Sequence, residues 1–328
     1  MTAAAALFAR PAPAAGGGVA CLARQPASTT SAARRALAVA SIGGLVPCSW
    51  IGRVHSVFAR ACNVESGELL LTIGAPGIGD GPTTLVLARD AGDLRRRFTV
   101  GERVAARDGW IRSARVELEL AGARVWQPLE RGPRVPHAEL DARLRAVGAC
   151  LAARRARQAN VLDRDAAPVA AALAAACASL DLARASAAVD RLIGWGEGLT
   201  PAGDDFIVGL LAALADATTD ANAAHHDAAD APTRRVEFRA ALAARVVAAT
   251  TRTTAIAAHA LRLAARGAWS EPIDRLLVAL CHGDDGRAAD AAVAHLLAFG
   301  ASSGADTASG IVAALCAWSR APTTAEVA

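Results

Sequence analysis

Two stretches of this 328-residue chain bring glycine, hydroxyl and carboxylate groups together at spacings that chemistry can use. They are GWGEGLTPAGDDFIVGLLAAL (194–214) and GASSGADTASGIVAAL (300–315). Setting Gly203 on Gly304 superposes Asp205 on Asp306, Gly209 on Gly310 and LLAAL on IVAAL without a gap. The shared pattern is Gly-x-Asp-x-x-x-Gly followed by an apolar run. Gly194 suits the left-handed end of one helix, Thr200 the N-cap of the next and Pro201 its first position. Glycines at 194, 196 and 198 leading into a helix N-terminus expose N–H groups and the positive end of a dipole, a generic anion site. The Asp and the later Gly share one helix face, where a missing side chain lets a backbone or a ligand approach the carboxylate.

Two such helices would face each other about a pseudo-twofold axis. Asp204, Asp205 and Asp306 are then the acid–base candidates, with Gly196, Gly198, Thr200, Gly203, Ser302, Ser303 and Gly304 as the binding groups around them. A plainer reading competes: small residues serve tight helix packing, and an acid in a first turn stabilises the dipole by about 0.3–1 kcal/mol without any function. The doubling and the adjacent Asp204-Asp205 pair favour a site. A phosphate about 5 Å from a carboxylate is repelled by about 3 kcal/mol at an effective dielectric of about 20, so phosphate here needs an Arg or a magnesium ion beside it. Otherwise the acids face an amide or amine, as acceptors or as a general base. No cofactor is firmly implied; if magnesium is used, the same three aspartates are its candidate ligands. TTRTTAIAAHAL (250–261) offers Arg252 and Thr253 to an anion, against the alternative of an N-cap followed by a surface Arg.

Composition removes other chemistries. The chain has no Tyr and no Lys, so Schiff-base, pyridoxal and Walker-lysine mechanisms are excluded and Arg carries all the fixed positive charge. GAPGIGDGPTT (74–84) is therefore read as a turn. Seven scattered cysteines with no CxxC pair suit a reducing cytoplasm. A net charge of +4, interleaved signs and few aromatics argue against nucleic acid, and no run is long and apolar enough to span a membrane.

The elements that must position the motifs follow an α+β order. Residues 1–32 lack apolar area and read as a disordered extension. Arg34-Arg35 with the uncharged run after it either opens a twin-arginine export signal or leads into the first strand; Gly43-Gly44 and Pro47 favour the strand. Residues 33–132 form short apolar runs punctuated by Gly and Pro, an antiparallel sheet or barrel-like domain, with RVELELAGARVW as a hairpin. From 133 to 320 the period is helical and Ala-rich, beginning with Leu140, Leu144, Val147 and Leu151 on one stripe. DATTDANAAHHDAADAPT (216–233), with His225-His226, reads as a surface loop, His282-Gly283-Asp284-Asp285 as an ordinary turn, and 321–328 as a tail. His55 falls in a strand, as core or as ligand.

GLTPAGDD, GASSGAD, the opening GRVHSVFARACNV and the GDGP turn resemble the AllH-like family of oxamate carbamoyltransferase subunits, formerly a domain of unknown function, over roughly residues 36–318. The resemblance implies a part in purine or allantoin nitrogen catabolism: carbamoyl transfer between phosphate and the amide nitrogen of oxamate, with oxalurate yielding carbamoyl phosphate in the catabolic direction. It also implies other subunits of a complex as partners and small anionic metabolites as ligands. Where that family is expected to carry Ser near position 257, this chain has Ala257. Three readings stand: a carbamoyltransferase subunit, a noncatalytic assembly or ligand-sensing subunit, and a stand-alone enzyme acting on another small amide or carboxylate.

Overall fold

A computed structural model of the chain describes residues 36–157, 166–218, 231–283 and 286–319. The calls on the N-terminal extension, the C-terminal tail and His225-His226 lie outside the described residues. The chain divides into two compact units, one ending at Pro128 and the other beginning at Leu129.

The first unit is built from β1 (Leu37–Gly43), β2 (Trp50–Val57), β3 (Ala61–Ser66), β4 (Leu69–Gly74), β5 (Thr84–Leu87), β6 (Arg103–Arg107), β7 (Trp110–Arg112), β8 (Glu117–Glu119) and β9 (Arg124–Trp126). Alternation makes these segments strands. In TLVL of β5 and ELE of β8 every second side chain is buried, and Leu85, Leu87 and Leu118 join Val64, Leu71 and Ile73 in one core. Hydrogen bonding runs β5-β4-β3-β2-β6-β7-β8-β1, and β1 returns to β5, so eight strands close a barrel. Closure removes the exposed edges that an open sheet would have to protect.

Of the antiparallel sheet or barrel-like domain expected, the structure has the barrel, with mixed pairing: β1 pairs parallel with β8 and β9, and β4 pairs parallel with β5. RVELELAGARVW is not the expected hairpin. Both of its strands lie along β1, β8 beside Leu37 and Ala38 and β9 beside Ser41 to Gly43, so the chain steps forward at Gly122 instead of folding back. Local alternation fixes which side chains face inward, but it does not choose the neighbouring strand. GAPGIGDGPTT is the β4–β5 connection; at Gly43 of β1 a Cβ would land on the carbonyl oxygens of Gly81 and Pro82, so the GDGP turn lies directly on that strand.

The second unit is helical: α1 (His137–Arg157), α2 (Ala167–Ala178), α3 (Leu182–Leu192), α4 (Ala202–Thr218), α5 (Ala231–Ala249), α6 (Ala255–Ala265), α7 (Glu271–Cys281), α8 (Gly286–Leu297) and α9 (Ser303–Ser319). Leu144, Val147 and Leu151 of α1 are buried as their spacing predicts. Of the stretch 216–233 read as a loop, 216–218 belong to α4 and 231–233 to α5, and the residues between lie outside the described ones. Among the described residues no helix is long and apolar enough to cross a membrane.

Helix α4 is the axis of this unit. Every residue from Ala202 to Asp216 is buried, as a helix apolar around most of its circumference must be. Its closest companion is α9, and they meet at the paired glycines. A Cβ on Gly209 would fall on the carbonyl oxygen of Thr307, and one on Gly310 on that of Phe206. Thr307 and Phe206 are equivalent in the motif alignment, so each glycine receives the same backbone atom of the other helix, which is the pseudo-twofold relation expected from the sequence.

Helical glycines therefore divide into two kinds. Gly209→Ala forces a methyl into backbone and destabilises the fold by about 1–3 kcal/mol. At Gly148 of α1 a Cβ meets nothing within 4 Å, so Gly148→Ala stabilises it by about 0.5–1 kcal/mol through helix propensity. Chemical denaturation of the two variants measures both signs.

Candidate functional site at the helix crossing

The loop from Gly194 to Pro201 takes its shape from its glycines. Gly194 has φ +75° just past the end of α3, as expected for a left-handed cap, and a Cβ there would lie 2.7 Å from the Arg252 carbonyl oxygen. At Gly196 φ is +110° and a Cβ would sit 2.8 Å from the Ala202 amide nitrogen. Gly198 faces open space. The predicted cap is displaced by one residue: the Pro201 carbonyl accepts from the amides of Asp204 and Asp205 at 3.0 and 3.1 Å, so Pro201 itself stands at the helix entrance. Thr200 is freed from capping, and its hydroxyl turns to the Asp205 carboxyl.

The second motif repeats this entrance. The Ser302 carbonyl accepts from Ala305 and Asp306 at 2.8 and 3.1 Å, the same pair of bonds one motif later. Gly203 and Gly304 are also equivalent. A Cβ on either would strike the last turn of the preceding helix, at Leu192 and Leu296 respectively, and their amides donate to Trp195 and Phe299 at 2.9 and 3.1 Å. Each motif is thus a helix end, an aromatic turn and a new helix laid against the old one.

The three aspartates have different surroundings. Asp204 is 1% exposed; its Oδ1 accepts from the Gly194 amide at 3.0 Å and its Oδ2 from the Thr253 hydroxyl. Burial raises its pKa, and these two bonds oppose the rise. Asp205, also buried, faces the hydroxyls of Ser303 and Thr200 and the carboxyls of Asp306 and Asp204. Burial first, then the neighbouring acids, push its pKa well above the ordinary carboxylate range against the pull of the two hydroxyls. Its Oδ2 is buried without a hydrogen bond. Asp306 is 0% exposed and belongs to the same cluster.

The structure therefore gathers Thr200, Asp205, Ser303 and Asp306, with Gly203 and Gly304 making room for them. Asp204 and Thr253 hold the loop from behind, and Thr254 adds a hydroxyl bond to the Leu199 carbonyl at 2.5 Å while capping α6. The Arg252 guanidinium goes elsewhere, to the Asp190 carbonyl and, at 3.5 Å, to its carboxylate. The aspartates do not fit a magnesium site: Asp204 spends both oxygens on the chain, and among the described residues no group of three His, Cys, Asp or Glu side chains could hold a metal ion. His55 is half-buried on β2, with Nδ1 3.2 Å from the Ser56 hydroxyl. The described cysteines form no disulfide, and burial pushes the thiols of Cys62 and Cys177 up to about 12, well away from a nucleophile's range.

One polar cluster has no counterpart in the sequence reading. His282, expected in an ordinary turn, is 8% exposed and joins Asp216, Asp274, Arg131 and Arg134. Asp216, expected in a surface loop, is 1% exposed at the end of α4. Nothing in local spacing pairs residues so far apart. The only sequence signal was the pair of arginines in the otherwise featureless LERGPRV.

Comparison with known proteins bears on the same segments. The family model described as oxamate carbamoyltransferase subunit AllH matches residues 192–315, from the end of α3 through both motifs into α9. The model of the AllH family N-terminal domain matches residues 31–125, which hold eight strands and most of β9. No curated protein and no solved structure matches the chain. With two matched segments that cover about two thirds of its length and include both glycine–aspartate motifs, the chain belongs to the AllH family.

Proposed function

We propose that this chain is a catalytic subunit of an oxamate carbamoyltransferase complex of purine or allantoin nitrogen catabolism, and that the crossing of α4 and α9 carries the transfer. The observation behind this reading is Asp205, a buried acid with an oxygen that makes no hydrogen bond, beside Asp306 and two hydroxyls. When oxalurate gives up its carbamoyl group, a phosphate oxygen bonds to the carbamoyl carbon, the carbon–nitrogen bond breaks, and the departing oxamate nitrogen takes a proton. An acid whose burial raises its pKa and favours the protonated form suits that donor role, and its conjugate base recovers the proton when the amide nitrogen attacks in reverse. The hydroxyls of Thr200 and Ser303 orient the amide.

The helix dipoles are already partly answered by the chain's own aspartates. Anionic ends of the substrates therefore lie outward, toward the amides of Gly196 and Gly198 and the Ser302 hydroxyl. Arg252 is occupied by Asp190, which supports a phosphate counter-charge supplied by another subunit. Described cysteines that form no disulfide fit a cytoplasmic setting.

A second reading rests on Trp195 and Leu199. These apolar side chains of the site loop are 40% and 48% exposed, which favours a loop that docks a partner subunit. In the reconstituted complex, Asp205→Asn and Asp306→Asn lower transfer by about 10²–10⁴-fold and leave assembly intact. Dissociation of the complex by these variants favours the docking reading instead, and full activity of both rejects a catalytic role. Asp205 also makes a stability prediction. Because its folded pKa is raised, its contribution is fully present below its unfolded value of about 3.8 and is lost as pH rises through the folded value. Asp205→Asn removes that loss, so its Tm exceeds that of the parent chain at neutral pH and the advantage shrinks toward pH 3.8. Asp216→Asn behaves oppositely and is least stable relative to the parent at neutral pH, since the Asp216 pKa is lowered. Thermal melts across pH check both.

A further inference from the structure

The last turn of α1 lies against the second motif. Arg154, one turn beyond the buried Leu151, donates from Nη2 to the Ala301 carbonyl at 2.7 Å, and Arg155 reaches the Ser309 hydroxyl of α9 at 3.1 Å. Under the motif alignment Ala301 stands where the first motif has Thr200. Thr200 turns a hydroxyl to Asp205; Ala301 has none to turn, and its carbonyl is met by a guanidinium instead. We propose that Arg154 binds the carboxylate end of the organic substrate at the crossing of α4 and α9. This rests on the carbamoyl-transfer reading and adds to it the residue that recognises one end of the ligand.

Charge singles out Arg154. Near the first loop the Arg252 guanidinium is taken up by Asp190, which also pairs with Arg245. Arg154 is half-buried, its bond goes to a neutral carbonyl, and among the described residues no carboxylate pairs with it. One bond leaves most of the guanidinium fork available, and that fork matches a carboxylate in shape and in charge. Its anchor is also well placed. Ala301 is two residues from Ser303, a span of at most about 7 Å of backbone, and the Ser303 hydroxyl faces Asp205. With the amide of the substrate against Ser303 and Asp205, its carboxylate lies on the Ser302 side, where Arg154 is fastened. A fixed cation there offsets the repulsion that a substrate carboxylate meets near ionised Asp205 or Asp306.

The test uses the reconstituted complex with oxalurate and with its uncharged amide analogue, and compares the parent chain with Arg154→Gln, which keeps an amide donor in place of the charge. The parent should prefer oxalurate in kcat/KM. In Arg154→Gln the KM for oxalurate should rise by about 10- to 100-fold, the scale of a hydrogen bond to a charged group, and by more than kcat falls. The preference over the amide analogue should collapse, the KM for phosphate should stay where it was, and Arg154→Lys should recover part of the loss. Equal losses on both substrates overturn the inference, since they mark a residue that only holds the loop, and so does a change confined to phosphate. A parent chain indifferent to the substrate's charge overturns it without any variant. Where Asp205→Asn abolishes transfer but Arg154→Gln leaves the oxalurate KM unchanged, this inference alone fails; where Asp205→Asn transfers at the full rate, the carbamoyl-transfer reading fails and takes it along.

Discussion

At Gly209 and Gly310 two helices touch backbone to backbone, each offering a carbonyl where the other has no side chain. That contact sets the helical unit. It allows α4 to be buried from Ala202 to Asp216, and it determines how far apart the two helix entrances lie. Because the glycines sit one turn beyond Asp205 and Asp306, closing the helices there brings the carboxyls into one cluster. A methyl at the crossing would part the axes and with them the acids, so the packing and the acid cluster rest on the same absent side chains.

Bringing two acids together out of water is costly, and the structure accepts the cost at one place. Asp204 is compensated by the Gly194 amide and the Thr253 hydroxyl, and Asp216 by guanidinium groups and an imidazole. Asp205 is buried beside hydroxyls and other acids, and burial first and those acids second raise its pKa. A group that folding would more easily leave out, set between two helix entrances, is the kind of local conflict that function maintains. The contrast between Asp205 and Asp216, on one helix, shows how surroundings send identical side chains in opposite directions.

The loops around the crossing do different work in the two halves. Thr253 and Thr254 pin the first loop from α6 and its approach, whereas the second loop is held by Arg154 of α1, which donates to the Ala301 carbonyl at 2.7 Å. The pseudo-twofold relation is therefore one of backbone and glycine, while the side chains have diverged.

The sequence by itself determined the order of barrel and helices, the helical stripe of α1, the doubled motif and its pairing, because each is written in residues near one another or in a repeat that can be aligned. It also limited the groups that could hold an anion to Arg, backbone amides and hydroxyls, since the chain has no Lys and no Tyr. Only the tertiary structure decided which strand lies beside which, because alternation in β8 and β9 gives a facing direction but no neighbour. Only it separated Asp204 as a brace from Asp205 as the buried conflict, since adjacent residues on a helix point about 100° apart and meet different surroundings. The His282 cluster was invisible for the same reason: its members, from Arg131 to His282, are joined by folding alone, and charge pairing over such separations leaves no local pattern to read.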